Sequence, residues 1–284
     1  MPIAAIGLLF LSALLHTSWN LLLKGAGEKH VATFWTVVLG GLIFAPVLLF
    51  TGLPPAGLWP LVLLSSAVEV AYFLTLSSAY REHDLSLVYP IARGTAPAFL
   101  AIWSVLFLRE APTAAGLAGL VMIVIGLMAI GGSSLFRNAY RKPATRALQI
   151  ALLNALLISA YSLIDGFAVR RTDPVPYALS IFTLIPILVA PLILFRYDQA
   201  ILKAELAAHW PRLAAISILG VFSYLAALSA YSFAPLGYSG AIREVSVVLG
   251  AFAGWRFLNE QMGGIRLAGA AVIFAGILTI AMFG

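Results

Sequence analysis

The feature that most constrains this chain is a succession of apolar runs, each close to the ~20 residues that a membrane-spanning helix needs. Ten such runs are legible, at roughly 3–23, 31–51, 58–80, 85–107, 113–131, 147–169, 176–195, 211–233, 237–257 and 265–283. In a bilayer core an unpaired backbone group costs several kcal/mol, so a chain crosses it only as helices or as a closed barrel. The runs lack the ~10-residue alternation of barrel strands. An all-α integral membrane fold is therefore expected. Composition agrees, with 62% hydrophobic and 10% charged residues, where a soluble domain is about half apolar.

The intervening segments are short and carry turn formers or charges: Gly25–Lys29, Gly52–Gly57, Arg81–Asp84, Arg109–Pro112, Arg170–Pro176 and Asn259–Gly264. Two are longer, Gly132–Arg146 and Arg196–Trp210. The first lies at the midpoint, carries Arg137, Arg141, Lys142 and Arg146, and reads as the link between two halves, 1–136 and 137–284. The opening MPIAAIGLLFLSALLH has neither a charged leader nor a small-residue cleavage site, and reads as the first spanning helix. The chain has 0 cysteines, so disulfides and thiolate metal sites are excluded. The formal charge of +6 does not point to nucleic acid, because the basic residues sit at helix ends, where they set orientation.

The halves resemble each other. FLRE at Phe107–Glu110 recurs as FLNE at Phe257–Glu260, and LAG at Leu117–Gly119 recurs at Leu267–Gly269. Gly126 matches Gly276 and Arg93 matches Arg243 at the same offset of 150. Earlier, Ser12–Leu15 parallels Asn154–Leu157, and Ala79-Tyr80 parallels Ala230-Tyr231. With five helices per half, an odd number, the second half must enter the membrane upside down. That predicts ten transmembrane helices as two inverted five-helix repeats around a central cavity, with the binding site at their interface near the midplane.

On these motifs the chain resembles the drug/metabolite transporter superfamily, and within it the ten-helix EamA-type permeases. The resemblance covers essentially the whole chain. It implies a basket-like fold, a central cavity, and export or exchange of small metabolites. The aromatic amino-acid exporters are the branch suggested by aromatics on polar helix faces.

Ionisable groups within a span usually face protein or water, because lipid exposure costs at least ~2.5–3.5 kcal/mol. Helix 1 sets His16, Asn20 and Lys24 on one face, with Trp19 beside them. Helix 3 aligns Ser65, Glu69 and Tyr72, and Glu69 is open to two readings: a buried partner for an arginine, or a substrate or proton site. Helix 4, interrupted by Pro90 and Pro97, carries Tyr89 and Arg93. The guanidinium of Arg93 can hold a carboxylate bidentately. Helix 9 repeats this cation as Arg243; Glu244 points about 100° away, so the two should find partners on other helices. Helix 6 offers Asn154, Tyr161 and Asp165, and Asp165 also reads as the acidic half of a helix-end pair with Arg170 or Arg171. Helix 8 offers Ser217, Tyr224 and Tyr231; Tyr80 and Tyr231 read as interface anchors, Tyr72 and Tyr224 as cavity residues. Trp35, Trp59, Trp210 and Trp255 read as belt residues. Gly119, Gly126, Gly269 and Gly276 read as close-packing faces.

The expected substrate-binding set is thus Trp19, Asn20, Glu69, Tyr72, Tyr89, Arg93, Tyr161, Tyr224, Arg243 and Glu244. Proton coupling is expected at Glu69, Glu244, His16 or Asp165. A site with both charge signs and aromatic walls suits a zwitterion such as a neutral amino acid. Sugars, nucleosides and drugs are alternatives, as is a lipid flippase. A membrane-embedded enzyme fits poorly, because the chain lacks the clustered acids or histidines such chemistry needs. There is no G-x-x-x-x-G-K-[ST] loop, so no ATP-driven step is expected, and no cofactor or metal. The expected surroundings are a bilayer, in a bacterial inner (plasma) membrane, as a monomer or homodimer. Twelve Lys or Arg fall on the loop side opposite the termini and three on the termini's side. Basic loops stay cytoplasmic, so both termini are expected outside.

Overall fold

The computed structural model describes residues 1–24, 28–82, 85–137, 145–258 and 264–284. Among them the chain forms α-helices and short 3-10 turns, and no strand. The helices are α1 (Ile3–Lys24), α2 (Lys29–Phe44), α3 (Leu48–Thr51), α4 (Trp59–Glu82), α5 (Leu85–Leu108), α6 (Ala114–Arg137), α7 (Thr145–Val169), α8 (Pro174–Arg196), α9 (Gln199–Tyr231), α10 (Leu236–Arg243), α11 (Val245–Leu258) and α12 (Gly264–Phe283). Among the described residues six stretches are long and apolar enough to cross a membrane, and Ala92–Leu108, Ala114–Ile130 and Leu267–Phe283 are shorter apolar helices.

Three differences from the sequence reading have local causes. A 3-10 turn at Ala45–Val47, with Pro46 lacking an amide donor, separates α2 from α3. The segment 199–210 is helical rather than a connection. Asp198 caps it by accepting from Ala200 N, and α9 runs on through Pro211 to Tyr231. At 33 residues α9 is about 50 Å long, more than the ~30 Å hydrocarbon thickness, so its first turns extend beyond the apolar layer. The expected single helix at 237–257 breaks at Glu244, where ψ is 0°, into α10 and α11.

The bundle is apolar outside and polar within. Leu11, Leu42, Phe50, Leu106, Ile125 and Phe195 are exposed, whereas His16, Glu69, Arg93, Asn154, Asp165 and Glu244 are buried. Partners are found mainly across the two halves of the chain. α1 packs on α9 while α4 packs on α7; α2 packs on α9 while α4 packs on α8; α5 packs on α7 while α1 packs on α10 and α11. Exchanging the halves maps each pairing onto its companion. The largest interface, α6 on α12, maps onto itself. A Cβ on Gly119 would lie 2.7 Å from the Gly276 carbonyl, and one on Gly126 would lie 2.6 Å from that of Gly269. The packing role expected of these four glycines is therefore met, with backbones touching where no side chain intervenes.

Candidate functional site

The buried charges gather where α10 packs on α1, α5, α7 and α9, with α4 bringing Glu69 within electrostatic reach of Arg243. Glu110, in the turn after α5, holds the start of α10. Its Oε1 accepts from Leu236 N at 2.7 Å and its Oε2 from Gly237 N at 3.2 Å. A carboxylate on the first amides of α10 satisfies donors that Pro235 cannot cap, and complements the helix dipole. Arg170 pairs with Glu110 and donates to the Ala234 carbonyl at 3.0 Å. The half-helix that carries Arg243 is thus held from the opposite half of the chain.

Arg93 Nη1 donates to Glu244 Oε1 at 2.9 Å, and Arg93 Nη2 lies 2.6 Å from His16 Nε2. A guanidinium cannot accept, so His16 Nε2 is the acceptor and the neutral ring carries its proton on Nδ1. Trp19 packs edge-on against His16, ring centroids 4.9 Å apart. Thr17 Oγ1 donates to the Ser246 carbonyl at 3.1 Å, fixing α1 to α11 beside the pair.

A second cluster surrounds Asp165. Its Oδ1 accepts from Ser65 and, at 2.9 Å, from Tyr177. Tyr224 Oη lies 2.6 Å from Asp165 Oδ2 and 2.9 Å from Glu69 Oε1. Arg243 lies within electrostatic reach of both clusters: of Tyr161, Tyr231 and Arg93, and of Glu69 and Asp165. Arg243 and Glu244 also line a cleft with room for about one water molecule, walled by Ala96, Leu100, Ile158 and Tyr231.

The sequence-derived candidates mostly converge. His16, Glu69, Arg93, Tyr161, Asp165, Tyr224 and Glu244 are buried together, and half-buried Tyr72 packs its ring 6.0 Å from that of Tyr161. Arg243 and Glu244 do find partners on other helices. Asn20 instead spends its amide on the His16 carbonyl of its own helix, at 2.8 Å. The side chains of Tyr80, Tyr89, Lys24 and Trp255 lie outside the described residues.

Two readings are corrected. Asp165 is no helix-end ion pair: it is fully buried among hydroxyls, while Arg170 takes Glu110 and Arg171 stacks on Phe167, 3.4 Å from the ring centroid. Tyr231 is no interface anchor: it is 1% exposed, because the chain turns inward after α9 to enter buried α10. Sequence reasoning missed Tyr177, near the start of α8, and the capping role of Glu110. The recurrence of FLRE as FLNE was the available signal for the latter.

A helical bundle with an apolar exterior, buried ion pairs and a helix broken at the charges has the build of an integral membrane transporter. The model of the EamA-like transporter family, within the drug/metabolite transporter superfamily, matches residues 3–132 and again 145–282. The chain belongs to that family. A solved crystal structure shares its fold, with 18% identity, a TM-score of 0.79, and coverage of 99% of this chain and 98% of that chain. No curated protein matches the chain.

Proposed function

We propose that this protein is a secondary transporter that exports or exchanges a small zwitterionic metabolite, an amino acid foremost, by alternating access. One observation carries the reading. Arg243 Nε and Glu244 Oε2 are buried without a hydrogen-bond partner among the described residues, and both residues line the same cleft. An unsatisfied buried donor or acceptor costs about 1–3 kcal/mol, more when charged. A solute bearing a carboxylate and an ammonium would satisfy both, with its side chain against Ala96, Leu100 and Ile158. The cleft as it stands is too small for such a solute, so binding requires the halves to part.

The reading takes 1–136 and 137–284 as inverted five-helix repeats with ten spans. The exchange-equivalent pairings and the antiparallel α6–α12 contact support this plan. Counterflow in proteoliposomes tests the substrate class. Neutral amino acids should exchange, and their N-acetyl or amide derivatives, each lacking one charge, should neither exchange nor compete. Exchange of sugars or nucleosides with no amino-acid signal overturns the proposal. The reading further takes both termini as outside the cytoplasm of a plasma membrane, an orientation the loop charges support. C-terminal fusions test that placement: alkaline phosphatase should be active and green fluorescent protein dark, and the reverse pattern rejects it.

A further inference from the structure

We infer that Glu69 is a proton-binding site, its proton held by a Glu69–Tyr224–Asp165 relay between the two halves of the chain. The argument is a count of hydrogens. Tyr224 Oη contacts both carboxyls, at 2.9 Å and 2.6 Å, yet a phenol has one proton to give. Were both carboxyls ionised, one of them would press an anionic oxygen against the tyrosine lone pairs with no hydrogen between. One carboxyl therefore carries a proton. Asp165 already accepts from Ser65 and Tyr177, which favours its anion. The relay accordingly runs from Glu69 O–H to Tyr224 Oη, and from Tyr224 O–H to Asp165 Oδ2.

Charge balance supports the same assignment. The groups facing Glu69 are Asp165 and Tyr161 from α7, Tyr224 from α9 and Arg243 from α10, with Tyr177 from α8 behind Asp165. Arg93 and Glu244 neutralise each other, and the His16 ring is neutral. With Glu69 protonated, Arg243 balances Asp165 and this cluster has no net charge. With Glu69 ionised it would hold an uncompensated anion, a costly state away from water. Release of the proton therefore requires water or solute to enter. This links protonation to opening and makes the carrier proton-coupled, a step that rests on the transport reading above.

Infrared spectroscopy of the purified protein tests the site without any substrate. At neutral pH the wild type should show a carboxylic-acid carbonyl band, while exposed carboxylates are ionised. The band should vanish in Glu69→Gln, which keeps shape and neutrality. It should persist in Glu28→Gln, which removes an exposed carboxylate outside the cluster. In Asp165→Asn it should also be lost, because Tyr224 is then free to donate to an ionised Glu69 opposite Arg243. A wild type without the band, or a band surviving Glu69→Gln, overturns the site. In proteoliposomes an imposed pH gradient should change wild-type transport several-fold and Glu69→Gln transport not at all. Equal responses of both overturn the coupling and leave the infrared result standing.

Discussion

Arg93 and Glu244 come from opposite halves of the chain, so their ion pair is a tie across the bundle as well as a charge balance. Removing one partner strands the other in a dry interior. Arg93→Met should cost about 3–5 kcal/mol of stability, and Arg93→Met with Glu244→Met should recover most of it. Denaturant-monitored unfolding of the two variants, each compared with Glu244→Met, gives the coupling; additive losses would show that the pair is not coupled. At Tyr224 the prediction is different in kind. Tyr224→Phe removes the hydroxyl that both Glu69 and Asp165 contact, so it should destabilise by about 1–3 kcal/mol and abolish any response of transport to pH. Much of this was legible: Glu69, Arg93, Tyr224 and Glu244 stand out because charge and hydroxyl are rare in such runs. The role of Asp165 was not, because four residues before a helix end looks like the interface in one dimension. The packing of α4, α8 and α9 around it, with Ser65, Tyr177 and Tyr224 reaching in, makes that position internal.

At the scale of elements, the short helix α10 depends on a side chain that precedes it by 126 residues. Glu110→Ala removes the acceptor for two amides and the partner of Arg170. It should lower stability by about 1–2 kcal/mol and raise the apparent KM, because α10 presents Arg243 to the cleft. Glu110→Gln keeps a carbonyl oxygen for Leu236 N and should restore part of both; thermal melts and counterflow kinetics are the measurements. An unchanged KM in Glu110→Ala would separate the cap from the site. The spans were readable from length and hydropathy, but two element boundaries were not. Pro211 looked like a helix start, yet it is exposed, where water or head groups can satisfy the carbonyl its ring leaves unpaired, so α9 continues through it. The break at Glu244 has no proline or glycine at the break itself, and the residue there is drawn into an ion pair with Arg93.

For the whole molecule, the pairing of each helix with one from the other half means that neither half has a closed core of its own. The α6–α12 contact is the most exacting. A Cβ at Gly126 would meet the Gly269 carbonyl at 2.6 Å, whereas one at Gly7 would meet nothing within 4 Å. Gly126→Ala should therefore destabilise by about 1–3 kcal/mol, and Gly7→Ala should be silent in the same melt. The repeat behind this contact was visible in the constant offset of 150, although the offset could not say which helices would touch. The touching has a mechanical consequence. Two helices whose backbones meet at Gly119–Gly276 and again at Gly126–Gly269 can twist about their shared line, but a slide of one residue, about 1.5 Å, would drive side chains into carbonyls. On the proposed alternating-access cycle that line should serve as the axle, staying fixed while the cleft opens to one side and then the other. Leu117 and Leu278 lie level across it in the same antiparallel register and are exposed to the surroundings. A short bifunctional thiol reagent joining Leu117→Cys to Leu278→Cys should leave counterflow running, and its arrest by that tether would show that the axle itself comes apart in each cycle.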